Sequence, residues 1–139
     1  MITPDDIIAC TRELLGMPFR HQGRAHTGKT DCAGVVCHVA NRLGIEHIDQ
    51  SDYPRLPGCG RLEAALDSQP RLARVKLSDI QPGDVLLMRF GREPQHLSIF
   101  TGESLIHAYE PAGHVVEHGL DAAWRRRIVR AYRFLEQSE

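Results

Sequence analysis

No stretch of this 139-residue sequence is apolar for long enough to cross a bilayer. Neither charge sign dominates, since 17 Lys and Arg stand against 18 Asp and Glu, a net −1 with histidine neutral. That balance gives no chain-wide attraction for nucleic acid or an anionic membrane, so neither is expected as a partner. The first six residues, Met1 to Asp6, lack the basic and apolar regions of a secretory signal. The chain is therefore expected to be made in the cytoplasm, unless another machine carries it out. Its four cysteines, Cys10, Cys32, Cys37 and Cys59, include no C-x-x-C pair. Reduced thiols are expected, rather than a disulfide framework or a zinc ribbon, and no metal or other cofactor is expected.

What is present reads as one globular domain over residues 1–139. Hydrophobic residues make up 42% and charged residues 25% of the chain, which excludes a disordered or collagen-like polymer. At this length folding buries roughly 68% of the surface that an unfolded chain exposes, enough for a real core.

Thr3-Pro4-Asp5-Asp6 reads as a helix start, with Ile7, Thr11, Leu14 and Leu15 on one face until Gly16 and Pro18 stop it. Residues 16–30 read as loop. Cys32, Val35, Val36, Val39, Ala40 and Leu43 then form an unbroken helical stripe, capped by Thr30 or Asp31 and ended by Gly44. Residues 45–60 are rich in turn formers, and Arg61 to Leu66 read as a short helix. Strands are expected at Asp84–Phe90, Gln95–Thr101, Ser104–Tyr109, Val115–His118 and Ile128–Phe134, with a short helix near Leu120–Trp124. Helices first and strands later predict an α+β fold with a segregated antiparallel sheet.

Cys32 falls in the first turn of its helix, where aligned backbone dipoles favour an anion. It is expected to be the one acidic thiol; Cys10, Cys37 and Cys59 are expected to be thiols without a role. If Gly102-Glu103 is a two-residue hairpin turn, residues paired across it sum to 205. Ser98 then faces His107 and His96 faces Tyr109, so His107 is the diagonal neighbour of His96 on one face. A thiol at a helix start beside two adjacent histidines is a cysteine-nucleophile constellation, with His96 as base and His107 as orienting residue. Backbone N–H groups at the helix start are the expected oxyanion donors. Trp124 with Arg125, Arg126 and Arg127 suggests a stacking or anion patch, with a solvated approach to the last strand as the favoured reading.

Gly16-Met17-Pro18-Phe19-Arg20-His21-Gln22-Gly23 and Asp31-Cys32-Ala33-Gly34-Val35-Val36 resemble the nucleophile region of the NlpC-type cell-wall peptidases, which are papain-like cysteine hydrolases. Gln81-Pro82-Gly83-Asp84-Val85, His96-Leu97-Ser98-Ile99-Phe100-Thr101-Gly102 and Ile106-His107-Ala108 follow in the family's order. The resemblance implies a papain-like fold with Cys32 as nucleophile, His96 as general base and His107 as third residue. It implies a peptidoglycan stem peptide as substrate, cut beside a D-γ-glutamyl residue. The wording Pro18 to Gly23 is more like the branch encoded with phage tails and gene-transfer agents, which implies tail proteins as partners.

Candidate substrate contacts are Phe19, His21, Gly23, Asp31, Ser98 and Glu110, with Asp31 first of all a helix cap. Two residues depart from the family pattern: Phe19 stands where a Tyr is usual, and Ala33 where a Ser is usual. They keep open a silent homologue serving as a tail adaptor. A zinc module on Cys32, Cys37, His96 and His107, and an acyltransferase on the same triad, are also compatible with these residues.

Overall fold

The computed structural model describes residues 1–54 and 60–135. Cys59 and part of the turn-rich 45–60 segment lie outside the described residues. In chain order the elements are α1 (Pro4–Arg12), α2 (Cys32–Leu43), α3 (Arg61–Asp67), β1 (Leu72–Val75), β2 (Val85–Phe90), β3 (Glu93–Phe100), β4 (Ser104–Tyr109), β5 (His114–Gly119), α4 (Ala122–Arg125) and β6 (Ile128–Phe134). The strands form one antiparallel sheet in the order β1-β6-β2-β3-β4-β5. This is the expected α+β architecture.

Thr3 and Asp6 close a reciprocal capping box on α1, each side chain accepting from the other's backbone N–H. The helix ends at Arg12, earlier than its apolar spacing predicts, because Leu14 and Leu15 close tighter three-residue turns instead. Gly16, with φ 86°, then donates to Val115 O and ties the turn to β5. Residues 16–30 are pinned rather than free: Pro18 bridges to His114, Phe19 to Thr30, and Ala25–Thr27 form a short 3-10 turn. Sequence reasoning missed β1, a four-residue edge strand on β6.

The sheet has two covered faces. Leu97, Ile99, Ile106 and Ala108 join the core under α1 and α2 with Ile7, Val35 and Val39. Leu86, Met88, Phe100, Leu105 and Ala131 build a second cluster on the opposite face, closed by Trp124 and Ile128. Side chains alternate along a strand, so His96 and His107 lie on the second face, opposite the core under α1 and α2. The β3–β4 register is the expected one: Ile99 pairs with Ile106 and Phe100 with Leu105, both summing to 205. Gly102 supplies the positive φ that the first turn position demands.

Candidate active site

Cys32 is the first residue of α2, and Asp31 is its N-cap. Asp31 is 4% exposed and satisfied by four donors. Oδ1 accepts from Gly34 N at 2.9 Å and Arg24 Nη1 at 3.0 Å, while Oδ2 accepts from Gln22 N at 2.9 Å and from the Tyr53 hydroxyl. Arg24 is shared with Asp49, which ties the loop, the helix start and the segment after α2 together. Gly34 makes that junction close: a Cβ there would meet Gly23 O at 2.6 Å and the Thr30 hydroxyl.

Among the described residues the β3–β4 ladder covers only its two pairs, so the strands part on the way back to His96. Cys32 approaches beside β3, where the backbone N–H groups of Leu97, Ala33 and Cys32 itself act on its sulfur and favour the thiolate. Burial and the Asp31 carboxylate oppose them and prevail, pushing the thiol up to about 12. The expectation of a single acidic thiol is therefore corrected for the resting protein. Burial also raises Cys10, and it pushes Cys37 up to about 12.

His96 Nε2 lies 2.6 Å from His107 Nδ1, the contact that the register argument predicts. This leaves His96 Nδ1 as the ring nitrogen for another partner. Burial, then His107, Arg127 and His118, hold His96 well below the usual imidazole range. Burial and then His118 bring His107 down to about 3. Phe90 stacks on His96 with ring centroids 5.0 Å apart, and Tyr109 stacks on His107 at 5.1 Å.

A cleft of about 620 Å³ opens over this junction. Cys32 and His96 line it together with four of the predicted substrate contacts, Phe19, His21, Asp31 and Glu110. Two others lie elsewhere. Gly23 is a packing glycine, where a Cβ would meet Lys29 O at 2.7 Å. Ser98 is 1% exposed and donates to Met88 Sδ on the second face. Sequence reasoning missed Tyr53, which lines the cleft, donates to Asp31 and meets His21 edge-on at 5.4 Å. No periodicity marks Tyr53; the Arg24–Asp31 hub brings it in. Trp124 follows the stacking reading rather than the solvated one, since it packs on His107 at 5.1 Å beneath the Arg127 guanidinium. Cys37 lies apart from the histidines, in a small cavity lined also by Asp49. Among the described residues no group of three or more His, Cys, Asp or Glu is placed to hold a metal ion, and no helix is long and apolar enough to cross a membrane.

A family model described as the NlpC/P60 family matches residues 16–133. Among solved structures, the chain is similar to a lipoprotein-like NLP/P60 protein of Staphylococcus aureus, with 19% identity and a TM-score of 0.65. That match covers 96% of this chain and 42% of the other. The NlpC/p60 domain of the peptidoglycan hydrolase SagA gives 20% identity and a TM-score of 0.65, covering 94% of this chain and 97% of that one. The peptidoglycan hydrolase RipB of Mycobacterium tuberculosis gives 19% identity and a TM-score of 0.65, covering 96% and 65%. The chain thus spans less than half of the S. aureus protein and about two thirds of RipB. No curated protein sequence matches it.

Proposed function

The chain belongs to the NlpC/P60 family, and we propose that it is a cysteine peptidase that hydrolyses peptide bonds in peptidoglycan stem peptides. The observation that carries the reading is Cys32 at a helix start sharing one cleft with His96, whose other nitrogen is held by His107. Two similar structures belong to proteins described as peptidoglycan hydrolases, which supports the substrate class.

In this mechanism Cys32 Sγ attacks the scissile carbonyl while His96 Nδ1 takes the thiol proton. The carbonyl oxygen, now negative, meets backbone N–H groups at the start of α2. His96 returns the proton to the leaving amine, and a thioester remains on Cys32. Water, deprotonated by His96, then hydrolyses that thioester and frees the thiol.

Two finer parts belong to the same proposal and rest on motif wording. Cleavage beside a D-γ-glutamyl residue follows the cell-wall peptidase family that the Asp31–Val36 and His96–Gly102 motifs resemble. Delivery as part of a phage or phage-like tail follows the Pro18–Gly23 wording. A silent tail adaptor is the second reading, favoured by Phe19, which lines the cleft without a hydroxyl. Mass spectrometry of peptidoglycan fragments after incubation with wild-type and Cys32→Ala protein separates the two. New termini at D-γ-glutamyl bonds from the wild type alone support the peptidase; identical fragments from both proteins refute it.

A further inference from the structure

His107 engages its second ring nitrogen as well. Its Nε2 lies 2.8 Å from Nε2 of His118 on β5, and His118 Nδ1 lies 3.0 Å from the carbonyl oxygen of Gly119. The three histidines stand at 96, 107 and 118, and each hairpin repeats one relation. His107 pairs with Val116, which puts His118 at its diagonal, as His107 is at the diagonal of His96. Trp124 fixes the ring planes, with its centroid 5.1 Å from His107 and 5.0 Å from His118. Ring centroids along the row are 4.8 and 4.9 Å apart.

The direction of every proton in this row follows from its anchored end. A carbonyl oxygen only accepts, so His118 carries its proton on Nδ1. With the ring neutral, His118 Nε2 accepts and His107 donates from Nε2. His107 Nδ1 then accepts, and His96 donates from Nε2. The lone pair left over is that of His96 Nδ1. We propose that His118 is a positioning residue which, anchored on the Gly119 carbonyl, fixes through His107 the tautomer that keeps His96 Nδ1 unprotonated for the Cys32 thiol. This rests on the reading of Cys32 and His96 as nucleophile and base. It adds a residue outside the cleft whose hydrogen-bonding polarity, not its bulk, sets the base.

The polarity is what an experiment can reverse. Lysine has donors only, so in His118→Lys the row runs backwards: His107 accepts at Nε2 and donates from Nδ1, and His96 is left with its proton on Nδ1. In His118→Gln the amide oxygen restores an acceptor, and His118→Leu offers neither group. Long-range ¹H–¹⁵N NMR of labelled protein reads the His96 tautomer directly, and iodoacetamide reads the Cys32 alkylation rate; neither needs a substrate. The wild type is expected to show the Nε2–H tautomer at His96 and His118→Lys the Nδ1–H tautomer, with slower Cys32 alkylation. On peptidoglycan, kcat for His118→Lys is expected to fall about 100-fold, with KM within about twofold. His118→Gln recovers more than His118→Leu. If His118→Lys does not fold, that Gln-over-Leu order at His96 and Cys32 carries the comparison. Nδ1–H at His96 in the wild type, one tautomer throughout, or equal values for Gln and Leu would overturn the relay. An inactive wild type that still shows the tautomer reversal would overturn the peptidase reading and leave the relay standing.

Discussion

Replacing His107 by Gln should flatten the acid side of the protein's stability curve. His107 is fully buried, and its folded pKa is brought down to about 3 from an ordinary value near 6.5. As the pH falls below 6.5, the unfolded chain takes up a proton that the folded ring refuses. Stability from this group is thus complete above 6.5 and is lost as the pH falls toward 3. Each pH unit in that window costs about 1.4 kcal/mol, so going from about pH 7.5 to about pH 4.5 removes roughly 2.7 kcal/mol. A glutamine can still bridge His96 and His118 but has no proton to gain. The shift of His96 has the same sign, and burial, its largest cause, acts in both proteins, so most of it cancels in the difference. Carboxylates held low by arginines, such as Glu13 at about 2 and Glu117, titrate chiefly below that window and also cancel. Urea unfolding followed by circular dichroism at several pH values would give both curves. Wild-type stability is expected to fall about 2.7 kcal/mol further than that of the variant over this range. Parallel curves would refute the assignment of a neutral, buried His107.

Two further outcomes concern the helix start. Gly34→Ala is expected to cost about 1–3 kcal/mol in urea unfolding, because its methyl group meets the Gly23 carbonyl, which is backbone and cannot rotate away. Asp31→Asn removes the negative charge beside Cys32, so the pH profile of alkylation should move to lower pH; stability should fall by about 1.5–3 kcal/mol as Arg24 loses a buried partner.

What the sequence made legible was local and periodic. The α2 stripe, the Asp31 cap and the Gly44 stop are short-range signals, and all three hold. The His96–His107 contact was legible because a two-residue turn leaves one register. His118 was hidden for the complementary reason. The link from β4 to β5 is a short 3-10 turn, Glu110–Ala112, followed by Gly113, and such a link fixes no pairing sum in advance. Alternation told which residues share a face, but not which face α1 and α2 cover. Gly23 looked like a site residue because it belongs to the motif; its place there is explained by the backbone carbonyls of Lys29 and Arg20, which leave no room for a Cβ. Tyr53 depends on a charge hub assembled from three separate segments, which no spacing rule reports.

The same comparison of magnitudes decides how the thiol is used. A helix start favours a nearby anion by about 0.3–1 kcal/mol at a surface and by about 2 kcal/mol in a partly buried site. Withdrawing an ionised group from water costs several kcal/mol even after the protein relaxes. At Cys32 the second effect is reinforced by Asp31, and the thiol stays protonated. At His96 the same burial keeps the ring neutral. Both shifts favour thiol and imidazole over thiolate and imidazolium in the resting pair. Under the proposed mechanism, proton transfer then accompanies attack, and the new negative charge forms on the carbonyl oxygen beside the amides of α2. A neutral pair needs its base in one tautomer, since a proton on His96 Nδ1 would leave the thiol proton with nowhere to go. An ion pair would not need this, because both imidazolium nitrogens already carry protons. The row of histidines is thus the complement of the partly buried thiol: desolvation disfavours the charge that would have oriented the pair, and hydrogen-bond polarity supplies the orientation instead.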